Sequence, residues 1–228
     1  MKIINDWINF FSFLKTPDYL TNKDSVLSKL FLTFNSLILF VLLFIPTIII
    51  YTIYTALLDD SPKSLHQNVL KLYHPVILYT LIAVYEEFSF RGFLTKFNPL
   101  LFSISTTGII ALYFKKIVFR NMMFEPEGFK EVCILILVLF PIFFLIAKTN
   151  TQIFNRFWEK HFKSIVYTSA FLFAFVHFFN SVDLSLSYLP TTVFQFIMAF
   201  IFSYVRTRSG IAFAIIIHFI WNLMIYGI

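Results

Sequence analysis

VILYTLIAVYEEFSFR, residues 76–91, sets an apolar run, broken only by Thr80, ahead of two adjacent glutamates and an arginine. A charge at the centre of a lipid-crossing helix costs about 2.5–3.5 kcal/mol on insertion scales, so such residues mark a functional site or find a partner. Helical geometry separates the three. Glu87 and Arg91 are spaced i,i+4 with the acid first, the favourable order for an ion pair on one face. Glu86 points about 100° away and has no local cation. We read Glu87 and Arg91 as structural support and Glu86 as the chemically available carboxylate. The competing reading makes all three a structural polar knot.

The rest of the chain supplies the membrane context. Of 228 residues, 59% are hydrophobic and 13% charged, against about 25% charged in soluble domains; the mean hydropathy is +0.81. With 33 Phe and 11 Tyr but only 5 Gly, long helices are favoured over turn-rich β structure. Apolar stretches of about 20 residues can cross the hydrocarbon core, where every backbone amide must be satisfied internally. The runs do not alternate, as β-barrel strands would. The predicted fold is therefore all-α, a polytopic transmembrane helical bundle of about seven spans forming one domain over 1–228. The spans are about Lys29–Leu58 (bending near Pro46), Pro75–Phe97, Pro99–Lys115, Val132–Ala147, Ser164–Phe179, Pro190–Val205 and Ile211 onward. The polar segment DDSPKSLHQN and the charged TNTQIFNRFWEKHFK read as connections.

Ahead of the first span, KIINDWINFFSFLK sets Ile4, Trp7, Ile8, Phe11 and Leu14 on one face and Asn5, Asp6, Asn9, Ser12 and Lys15 on the other. This predicts an N-terminal amphipathic helix within 1–28, lying in the membrane interface or packed on the bundle. Met1–Asp24 has no continuous apolar h-region of a secretory signal. The net charge of +6 is read as basic residues at helix ends, not as a nucleic-acid surface. Lys2, Lys15, Lys23 and Lys29 place the N-terminus in the cytoplasm. Arg156, Lys160, Lys163, Arg206 and Arg208 fall on the same side, and the Lys- and Arg-free Ser181–Leu189 connection falls outside. Lys115, Lys116 and Arg120 run against this scheme. Cys133 has no partner for an internal disulfide.

Two further apolar helices carry polar groups. His177 lies deep in FLFAFVHFFN, and His218 and Asn222 are spaced i,i+4 in IAFAIIIHFIWN. Each would be costly facing lipid, so three helices with such groups imply one shared polar cavity.

In order along the chain, EEFSFR fits Glu-Glu-x-x-x-Arg, FAFVH fits Phe-x-x-x-His and HFIWN fits His-x-x-x-Asn. Together these motifs resemble the CPBP family of intramembrane proteases, also called the Abi or CAAX-protease family, which includes Rce1-type prenyl-protein endopeptidases. The resemblance covers about 75–228, the protease-like core. It implies an intramembrane endopeptidase in which Glu86 is the general base and, with His177, activates a water. His218 and Asn222 would donate to the oxyanion, and Glu87 and Arg91 would brace the helix. No cofactor is expected. A zinc version would use Glu86, His177 and His218 with an open position for water, but no His-Glu-x-x-His sequence is present. The substrate would be a membrane-associated peptide or protein, and the Phe-, Ile- and Lys-heavy composition suggests a bacterial inner membrane. Two rivals remain: an immunity or scaffolding protein of the same family, and a transporter.

Overall fold

The computed structural model describes residues 2–19, 25–58, 74–180 and 186–226, and among them every regular element is helical. In chain order these are α1 (Lys2–Lys15), α2 (Val26–Leu58), α3 (Pro75–Arg91), α4 (Pro99–Val118), α5 (Phe129–Thr149), α6 (Thr151–Phe178), a 3-10 turn (Leu186–Tyr188), α7 (Leu189–Ser209) and α8 (Ile211–Tyr226). The segment DDSPKSLHQN and most of the Ser181–Leu189 connection lie outside the described residues.

Local chemistry fixes where helices begin. Asn98 precedes α4, and its Oδ1 accepts from the backbone N–H groups of Leu100 and Leu101 at 2.9 and 3.1 Å. Pro99 follows at the first helical position, where a missing N–H costs nothing. Pro75 opens α3 in the same way.

Among the described residues, four segments are long and apolar enough to cross a membrane: Val26–Leu57, Pro99–Val118, Phe129–Thr149 and Leu186–Ser209. The three helices that carry the motifs are not among them. α3 is short and holds three charges, α8 has 16 residues, and α6 begins as a charged amphipathic helix.

The expectation for α6 is corrected by the structure. From Thr151 onward TNTQIFNRFWEKHFK is not a connection but the first half of a 28-residue helix, with non-helical dihedrals at His161 marking a kink; Thr149 ends α5 and Asn150 lies between the two helices. The segment contains no Gly or Pro, and Trp158, Phe162, Val166, Phe173 and His177 are buried along one face. Phe154 and Trp158 pack against Phe97 and Phe102, and Trp158 Nε1 donates to the Thr95 carbonyl at 3.1 Å. Apolar residues spaced three and four apart therefore hold this segment in a helix despite its charge.

Helix α1 packs on the bundle, with Trp7 and Leu14 of its apolar face partly buried against the core. Phe10 and Phe13 are buried against Tyr204, whereas Ile4, Ile8 and Phe11 are exposed. Trp7 Nε1 donates to the Asn35 carbonyl at 3.2 Å, and Asn35 Nδ2 donates to Asp6 Oδ2 at 2.5 Å.

Helix α3 packs against α4, α6 and α8, and α7 packs against α2, α6 and α8. Close approach of α4 to α3 depends on Gly108, where a Cβ would collide with the side chain of Ser89. Tyr85 Oη donates to the Gly108 carbonyl at 2.7 Å across the same contact. The last carbonyls of α3 would otherwise be orphaned in a low-dielectric setting. Arg206 on α7 answers them, donating from Nε to the Arg91 carbonyl and from Nη2 to the Gly92 carbonyl, each at 3.0 Å. Gly210 alone separates α7 from α8. Its φ of +102° suits glycine, its N–H closes α7 on the Arg206 carbonyl and its own carbonyl accepts from Ala214.

Candidate active site

Glu86, Glu87 and Arg91 lie in the second half of α3, all buried. Arg91 Nη1 donates to Glu87 Oε1 at 3.1 Å, the i,i+4 pair the sequence predicts. The same oxygen also accepts from His218 Nδ1 at 2.8 Å. Glu87 thus ties α3 to α8 as well as bracing its own helix.

The Phe-x-x-x-His spacing acquires a physical explanation. His177 Nδ1 lies 2.6 Å from the Phe173 carbonyl, one helical turn back. A carbonyl only accepts, so Nδ1 carries the hydrogen and Nε2 is left as the free edge of the ring. The Phe173 ring takes the Arg91 guanidinium on its face, with Cζ 3.8 Å from the centroid, and contacts the His177 ring at 4.4 Å. One phenylalanine therefore orients both the cation and the imidazole.

His218 is oriented by equivalent means. Its Nδ1–H is held by Glu87, and its ring stacks on Phe202 at 4.7 Å with an interplanar angle of 19°. Both imidazoles consequently turn their Nε2 atoms toward one carboxylate oxygen. Glu86 Oε2 lies 3.8 Å from His177 Nε2 and 3.6 Å from His218 Nε2. These separations are longer than direct hydrogen bonds and within reach of a single intervening water. Glu86 Oε2 is buried and has no hydrogen-bond partner among the described residues.

Asn222 lies one turn beyond His218 on the same face of α8, and both are buried. Its Nδ2 is an enclosed donor without a partner among the described residues. Leaving such a group unsatisfied costs about 1–3 kcal/mol. The structure therefore brings Glu86, His177 and His218 together, with Glu87 and Arg91 behind them and Asn222 one turn along from His218. Among the described residues, no group of three or more His, Cys, Asp or Glu side chains is arranged to hold a metal ion.

Two residues of this region escape the motif reading. Lys116, near the end of α4, is 1% exposed, and its Nζ donates to Asn180 Oδ1. With Glu86 it lines a narrow cleft of about 10 Å³, walled also by Leu78, Ile82, Tyr85 and Met122, about the space one water needs. Lys115 and Lys116, which run against the expected positive-inside pattern, are both buried. Lys115 donates to the backbone carbonyls of Glu125 and Glu127.

A family model described as type II CAAX prenyl endopeptidase, Rce1-like, matches residues 68–224. Comparisons with curated proteins and with solved structures matched nothing.

Proposed function

Because the chain belongs to the Rce1-like family of type II CAAX prenyl endopeptidases, we propose that it is an intramembrane endopeptidase with Glu86 as general base. The observation that carries this reading is the convergence of both imidazole Nε2 atoms on Glu86 Oε2 at 3.6 and 3.8 Å. A water held there donates one hydrogen to Glu86 and the other to His177 Nε2, leaving a lone pair to attack the scissile carbonyl carbon. Glu86 takes the proton as the new C–O bond forms and returns it to the leaving amine as the C–N bond breaks.

The oxyanion receives the Asn222 Nδ2 hydrogen and, when His218 also carries a proton on Nε2, a second donor from that ring. Glu87 and Arg91 keep α3 and α8 in register. The route needs no metal, so cleavage should persist after exhaustive chelation. Lost activity restored by added zinc would instead favour Glu86, His177 and His218 as ligands.

Around this site the protein is an integral membrane protein of about seven spans. The polar-interrupted α3 and α6 and the short α8 join the four strongly apolar segments, α1 lies at the interface and the N-terminus is cytoplasmic. A bacterial inner membrane suits this arrangement. The substrate is a membrane-associated peptide, prenylated or otherwise anchored. Purified protein in liposomes would be presented with a library of prenylated, acylated and unmodified peptides, and products read by mass spectrometry. Cleavage by the wild type and none by Glu86→Gln or His177→Ala, both still folded, is the expected result. A Glu86→Gln variant with full activity would sink the mechanism. Function in cells that survives both substitutions would favour an immunity or scaffolding role, and solute flux without cleavage a transporter.

A further inference from the structure

Three buried cations lie on the two helices α3 and α4, and they differ in how their charge is used. Arg91 is paired with the Glu87 carboxylate and rests on Phe173. Lys115 donates to two carbonyls of the loop that follows α4. Lys116 donates to Asn180 Oδ1, a neutral amide, so this bond fixes its position without neutralising it. Burying an ammonium group is expensive, and inside a membrane such a residue marks a site by default.

The placement indicates what the charge faces. Lys116 and Glu86 line the same water-sized cleft. No ion pair within 4 Å joins them among the described residues, so the ammonium is held beside the carboxylate's cleft without being paired to it. Asn180, which holds the ammonium, begins just past the end of α6 and lies three residues after His177. Cation and base therefore border one narrow gap, anchored to elements that carry the site.

We infer that Lys116, positioned by Asn180, is a further catalytic residue that stabilises the negative charge developing on the scissile carbonyl oxygen. The inference rests on the endopeptidase reading above. A preorganised cation in a water-excluded site costs nothing to reorient during reaction, and its attraction for developing charge is poorly screened. It also assigns the neutral partner a purpose, since a carboxylate at position 180 would consume the charge before substrate arrived.

The test uses the full-length protein in liposomes and a peptide that the wild type cleaves. Lys116→Met should lower kcat by about 10²-fold, the scale for losing one oxyanion stabiliser, with KM little changed. Lys116→Arg should recover part of the loss. Asn180→Asp keeps the lysine but pairs it, and should also lower kcat while retaining the wild-type melting temperature; this variant decides the matter if Lys116→Met fails to fold. Wild-type kcat in either Lys116→Met or Asn180→Asp would overturn the assignment. So would a raised KM at unchanged kcat, which would make Lys116 a substrate anchor instead. Glu86→Gln separates the two proposals. If it is inactive while Lys116→Met is normal, only the lysine inference falls; if it is active, the endopeptidase reading falls first.

Discussion

Helices α3 and α5 are comparable in length and opposite in construction. α5 runs 21 residues and buries only Val132 and Ala147, while Leu137 and Leu145 on its outer face are 74% and 60% exposed. α3 runs 17 residues and buries nine, among them Glu86, Glu87 and Arg91. In water this distribution would be inverted; in a bilayer apolar side chains face outward without penalty and polar ones must turn in. Hydropathy therefore finds the helices that face lipid, and the helices that carry chemistry are the ones whose polar residues spoil the signal.

The contrast can be broken most severely at Arg91. Arg91→Met leaves Glu87 buried against His218 without its cation, and removing one partner of a buried pair typically costs about 3–5 kcal/mol. Unfolding in detergent should show that loss, and a variant as stable as wild type would mean that the polar interior of α3 is not braced by this pair. Arg91→Lys should not restore the loss fully, because an ammonium group lacks the planar face that lies on Phe173. Next in size is Asn222→Ala, expected to reduce kcat by about 10²–10³ while the melting temperature stays at the wild-type value. A drop in stability with proportionate activity would reassign Asn222 to helix packing.

Smaller effects sharpen the comparison. Gly108→Val forces a side chain against Ser89 at the α3–α4 contact and should destabilise by about 1–3 kcal/mol, the range for overpacking. Leu137→Ala on α5 should stay within about 0.5 kcal/mol of wild type. If Leu137→Ala proves as damaging as Gly108→Val, the outer face of α5 is covered by protein rather than lipid.

Much of this arrangement is legible in the sequence because it is local. The Glu87–Arg91 pair follows from i,i+4 spacing, and the starts of α3 and α4 follow from Pro75 and Asn98-Pro99. The bond from His218 to Glu87 could not be read, since it joins residues 131 apart in the chain. Arg206 looks like a topology charge until α7 is laid against the end of α3. The first half of α6 was hidden by its charges, although Phe154, Trp158 and Phe162 already carry the helical period. The apolar face of α1 is legible, but which of its residues meet the bundle is not: Trp7 and Leu14 pack on the core, Ile4, Ile8 and Phe11 stay exposed, and Phe10 and Phe13 find Tyr204. Periodicity shows that a helix has an apolar side without showing which neighbour claims it.

The single residue between α7 and α8 has a consequence for how the site is dimensioned. Gly210 is bonded backward to Arg206 and forward to Ala214, so the junction holds no slack. The azimuth of α8 about its own axis is set there, eight residues before His218. Adding or deleting one residue at this point would rotate His218 and Asn222 together by about 100°, carrying both past Glu86 with every side chain intact. The clock position of these groups is thus written into chain length as firmly as into chemistry.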